Sequence, residues 1–148
     1  MRQKGFTFIE MIIAVMIIAI LAAFAYPQYQ QYIINGNRVD VQSEMVQIAQ
    51  RIENYKLARS TYNGVDLSQA GIFGGSAFPK QGKSLYTLAL TLNAQDGIVT
   101  GWVLEATPKT DGIQKDNGMV RLNNLGHKCW QKAAASCTLS ANSNWDGK

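Results

Sequence analysis

The chain of 148 residues predicts an α+β fold: a long N-terminal helix, half membrane-spanning and half amphipathic, packed on a small antiparallel β-sheet. Three observations carry this. Across residues 6–26 the only charged side chain is Glu10. From Val41 to Tyr55 apolar residues recur at helical spacing. Beyond Ser84, short alternating runs separated by turn residues read as strands.

Composition narrows the classes before any motif is considered. Hydrophobic residues make up 47% of the chain and charged residues 16%, which excludes a disordered tail and a surface dense in charge. Twelve of the 14 basic residues and nine of the 10 acidic ones follow Tyr26, a mild excess of +3 that tolerates a polyanion without demanding one. Two cysteines, Cys129 and Cys137, are too few for a disulfide scaffold or a four-ligand zinc site.

Residues 1–5 form a short basic stub carrying Arg2 and Lys4, and residues 6–26 have membrane length. About 20 apolar residues rising about 1.5 Å each cross a hydrocarbon core of ~30 Å. Arg2 and Lys4 stay cytoplasmic, so the remainder projects outward. Ala22-Ala23-Phe24-Ala25 loosely imitates a secretory cleavage site, but the apolar run is longer than a signal core. A plain signal anchor is the simplest reading, and Glu10 argues against it. A carboxylate at the centre of a membrane helix costs roughly 2.5–3.5 kcal/mol, less near an end, and such residues need a partner. Cleavage between Gly5 and Phe6 would supply one, a new α-amino group in the same chain or a neighbouring one.

Pro27 sits where the apolar run ends, and inside a helix it would produce a kink. Helical periodicity then resumes: Val41, Met45, Ile48, Ile52 and Tyr55 fall on one face, which reads as a packing stripe. A helix from Phe6 to about Leu57, with Pro27 and Gly36 as weak points, would span ~80 Å. Glycines and Pro79 mark residues 60–84 as an irregular connection. Gly74-Gly75-Ser76 lacks the Gly-Lys-Ser/Thr of a phosphate loop. Leu88, Leu90 and Leu92 alternate with Thr87, Ala89 and Thr91, and Asp96-Gly97 then offers a hairpin turn. Residues 98–107 and 119–122 complete a meander of three strands, with room for a fourth. The helical stripe needs something to cover, and this sheet is the candidate.

The run Lys4-Gly5-Phe6-Thr7-Phe8-Ile9-Glu10, followed by the apolar stretch and Tyr26-Pro27-Gln28-Tyr29-Gln30-Gln31-Tyr32, resembles the class III signal of type IV pilins. Ala106-Thr107-Pro108 and Gly126-His127-Lys128-Cys129-Trp130 further resemble minor pilins of the PilE and ComP kind. The resemblance implies the pilin fold, with a leader of residues 1–5, an assembly helix of 6–27 and a head of 28–148. Within the head, the helix runs to about 58, the loop covers 60–84, the sheet 85–125 and a disulfide loop 129–137. It also implies cleavage after Gly5 by prepilin peptidase, N-methylation of Phe6 and an assembly ion pair at Glu10. Implied partners are other pilin subunits, engaged through the N-terminal helix, and the inner-membrane assembly machinery. The chain would sit in the bacterial inner membrane before assembly and in an extracellular fibre afterwards.

Outward topology places Cys129 and Cys137 in an oxidising compartment, where a disulfide is expected, with two buried free thiols as the alternative. The resemblance points to the disulfide. His127 is the only histidine, with no nucleophile elbow, metal-ligand pattern or calcium-loop spacing around it. An enzyme is not expected, and no cofactor is. Three classes remain: a pilus subunit, a type II secretion pseudopilin and a receptor for extracellular DNA. For the last, Lys128, Trp130 and Lys132, with His127 beside them and Arg121 from the adjacent strand, are the candidate contacts. The plainer account packs Trp130 onto the sheet and leaves the lysines to solvent.

Overall fold

The computed structural model describes residues 6–147. Gly5, with Arg2 and Lys4, lies outside the described residues. The elements in chain order are α1 (Phe8–Arg59), α2 (Ala70–Phe73), β1 (Ala77–Phe78), β2 (Tyr86–Gln95), β3 (Ile98–Pro108), β4 (Val120–Asn123) and β5 (Lys128–Trp130). Contacts divide the chain into two compact units, one reaching to Gly36 and the other starting at Asn37.

The first unit is the N-terminal part of α1. Its apolar residues point outward on every side: Ile13, Ile18, Leu21 and Phe24 are all at least half exposed. One window of this helix is long and apolar enough to cross a membrane. Helical backbone continues through Pro27, which lies inside α1.

In the second unit the expected stripe is the packing face. Val41, Met45, Ile48 and Ile52 are fully buried, and Tyr55 packs partly against the same core. They share it with Leu88 from β2, Trp102, Leu104 and Ala106 from β3, and Val120 and Leu122 from β4. The sheet is antiparallel throughout, in the order β1-β2-β3-β4-β5. Asp96 and Gly97 close the β2–β3 hairpin with φ of 52° and 78°, the doubly positive geometry of a type I′ turn.

Two strands go beyond the expected meander. β1 lies inside the 60–84 connection, and β5 extends the sheet past 125 to include Cys129. Strands of two and three residues are too short to show alternation, so nothing local announces them. Only pairing reveals them: Phe78 with Tyr86, and Cys129 with Arg121.

Candidate functional site

Thr7 precedes the first helical residue, and Glu10 stands three positions after it. The Thr7 N–H and hydroxyl both donate to Glu10 Oε2, at 2.8 and 2.7 Å. The Glu10 N–H in turn faces Thr7 Oγ1 at 3.4 Å. This reciprocal pair is a capping box: it occupies backbone donors that the first helical turn leaves without partners. It also gives the carboxylate local hydrogen bonds before any cation is considered. The motif that suggested an assembly carboxylate is therefore a helix start as well. Thr-x-x-Glu ahead of an apolar run is the sequence signature of such a helix start.

At the other end of the chain, Cys129 and Cys137 are disulfide-bonded with their Cα atoms 6.0 Å apart. Cys129 is held on β5, opposite Arg121 of β4, which itself pairs with Glu105 of β3. Arg121 Nε meets Glu105 Oε1 at 2.7 Å, and its guanidinium donates to the Cys137 carbonyl at 2.7 Å. The residue considered for phosphate contact thus ties the disulfide loop to the sheet.

Trp130 is 9% exposed. Its indole N–H donates to the Asn117 carbonyl at 2.8 Å, and the Arg38 guanidinium lies 3.7 Å from its ring centre. Trp130 thus packs in the core of the head, with the Arg38 guanidinium over its ring. Lys128 Nζ lies 4.9 Å from the ring of Trp145, whose N–H bonds the Arg121 carbonyl at 3.1 Å. Lys132 is exposed and has no partner among the described residues. His127 lies in the β4–β5 turn, its N–H bonded to Asn123 Oδ1 at 2.9 Å.

A buried polar cluster went unseen in the sequence. Asn117 donates to the Tyr86 hydroxyl at 3.0 Å and to Gln114 Oε1 at 2.8 Å, and accepts from Arg38 at 3.1 Å. Tyr86 also donates to Gln114 at 2.8 Å. Burial raises the Tyr86 pKa above its ordinary value, and the Asn117 hydrogen bond and the Arg38 charge oppose the rise. The cluster fastens the loop between β3 and β4 to α1. Beside that loop is a cleft of about 270 Å³, lined by Lys115 and Ala133, next to Lys132.

Residues 1–26 match the prokaryotic N-terminal methylation motif. Residues 27–121 match the family described as "Type IV minor pilin ComP, DNA uptake sequence receptor". The type IV major fimbrial protein FimA of Dichelobacter nodosus is 36% identical over 106 residues, which are 70% of this chain and 64% of FimA. The fimbrial protein EcpC of Eikenella corrodens is 34% identical over 119 residues, 76% of this chain and 67% of EcpC. Among solved structures, the non-core minor pilin PilV of Neisseria meningitidis aligns with a TM-score of 0.50 at 20% identity. That alignment covers 72% of this chain and 94% of PilV, and it supports the fold alone. A methylation-motif helix, a helix-backed antiparallel sheet and a family match over 27–121 agree: this chain belongs to the type IV minor pilin family of the ComP kind.

Proposed function

We propose that this chain is a minor subunit of a bacterial type IV pilus. Prepilin peptidase cuts after Gly5 and Phe6 is N-methylated. The subunit waits in the inner membrane with its N-terminus cytoplasmic and its head periplasmic. The assembly machinery then packs it among other pilins through the N-terminal helix, where Glu10 meets a neighbouring Phe6 amine. One observation carries this reading: the methylation-motif match ends at residue 26 and the minor-pilin match begins at 27, so the two run end to end. A secretion pseudopilin is disfavoured, because the relatives named above are all pilus or fimbrial proteins. Mass spectrometry of purified pili tests the proposal. The expected species starts at N-methyl-Phe6, and fibres containing chains that start at Met1 would refute it. Glu10→Ala is expected to be processed normally and to be depleted from fibres.

The family description supports a second reading, contact with DNA. The family match ends at Arg121, so Lys128, Trp130 and Lys132 lie beyond it. Given the engagement of Arg121 and Trp130, the cations best placed for phosphates are Lys115 and Lys132. The small positive balance of the head favours non-specific affinity of about 10⁻⁴–10⁻⁶ M that weakens steeply with salt. Gel-shift titration of the full-length protein in detergent at two salt concentrations tests this. Lys115→Ala with Lys132→Ala should weaken binding and flatten the salt slope, while Lys128→Ala should do so less. Sub-micromolar, sequence-dependent binding at physiological salt would make the subunit a specific DNA receptor. Absence of binding at low salt would remove the reading.

A further inference from the structure

A cavity beside the core of the head has no place in either reading above. About 450 Å³ in volume, it opens between the second half of α1 and the β4–β5 turn, within the usual range for small-molecule clefts of about 300–1,000 Å³. The geometry points to a binding site for a neutral saccharide, with one hexose ring of an uncharged glycan as the ligand. Part of the lining is apolar, Val46 and Ala49 from α1 and Leu122 from β4, and suits the C–H face of a sugar ring. Amides line it as well, with Gln50 and Asn54 on the same stretch of α1 as Val46 and Ala49. The side chains of Gln50 and Asn54 have no hydrogen-bond partner among the described residues. Each offers a donor and an acceptor, the combination a sugar hydroxyl matches.

Two of the polar groups, Glu53 and Asn124, are held in place before any ligand arrives. Glu53 accepts from the Trp102 indole N–H at 3.0 Å and from the Tyr62 hydroxyl at 2.9 Å, which fixes its carboxylate in the cavity wall. Asn124 Oδ1 faces the Trp102 backbone N–H at 3.4 Å, leaving its Nδ2 as a further donor. A Cβ at position 101 would lie 2.6 Å from Asn124 Oδ1, so the glycine there makes room for that side chain. Such preorganisation lowers the ordering cost of binding. Charge selects the class of ligand. The Glu53 carboxylate disfavours phosphates and sugar acids, and the Lys128 ammonium, also in the lining, disfavours cations. A neutral polyol satisfies both.

The test uses the full-length, ¹⁵N-labelled chain in a zwitterionic, sugar-free detergent, titrated separately with glucose, galactose and N-acetylglucosamine. At least one sugar should shift the Trp102 indole N–H signal saturably and leave those of Trp130 and Trp145 in place. Glucuronate should bind at least tenfold more weakly than that sugar. Gln50 and Asn54 are exposed helix residues, so Gln50→Ala and Asn54→Ala should preserve the remaining spectrum. Each should raise the dissociation constant threefold or more, and the pair tenfold. No saturable Trp102 shift with any of the three sugars would overturn the assignment. So would a shift that survives the double substitution or is matched by glucuronate.

Discussion

The apolar half of α1 and the head solve the burial of hydrophobic side chains in opposite ways. Ile13 and Ile18 are 50% and 65% exposed, whereas Ile48 and Ile52, on the same helix, are fully buried. Residue type and secondary structure are shared; only the surroundings differ. In the head, α1 presents one apolar stripe and the sheet covers it. In the first unit the helix is apolar all round. A helix of that kind needs burial by lipid or by other helices. The stability of the head is therefore written in intramolecular contacts, while the N-terminal helix keeps its apolar surface for its surroundings.

The largest expected effect sharpens this contrast. Leu104→Ala or Ile48→Ala should destabilise the head by about 2–5 kcal/mol in denaturant titration of the full chain in micelles. Ile18→Ala should leave the same transition unchanged. A comparable loss from Ile18→Ala would break the comparison. Next in size is the disulfide. Cys129→Ser with Cys137→Ser should cost about 2–3 kcal/mol, since an eight-residue separation closes only a short loop.

A smaller effect tests the one polar anchor described in the apolar half. Thr7→Val removes the capping hydroxyl and should cost about 0.5–2 kcal/mol, read as faster amide exchange in the first turn of α1 with the head unaffected. Smallest is the buried tyrosine. Tyr86→Phe should cost about 0.5–1.5 kcal/mol at neutral pH, because Asn117 keeps its bond to Gln114. The pH dependence has a definite sign. Burial raises the Tyr86 pKa in the folded state, so above about pH 10 the unfolded chain binds fewer protons than the native one. The stabilisation is complete below that pH and is lost as pH rises through the folded value. Thermal melts between pH 9 and 11 (roughly one unit either side of the ordinary tyrosine value) should fall less steeply for Tyr86→Phe than for the parent. Equal slopes would show that other groups dominate the alkaline loss.

By itself the sequence determined what periodicity and local chemistry can carry: the apolar run, the Val41–Tyr55 stripe, the Asp96-Gly97 hairpin and the α+β class. Each of these is written within a few turns of helix or one pair of strands, so neighbouring residues suffice to read it. Tertiary structure alone decided the pairing of β1 and β5, the burial of Trp130 beneath Arg38 and the engagement of Arg121 with Glu105 and Cys137. It also decided the polar cluster in which Arg38 reaches Asn117, 79 residues away, and the cavity lined by Gln50 and Asn54. Such partners are chosen by approach in space. A short strand, a lone arginine or an exposed amide carries no local mark of what the fold will bring beside it.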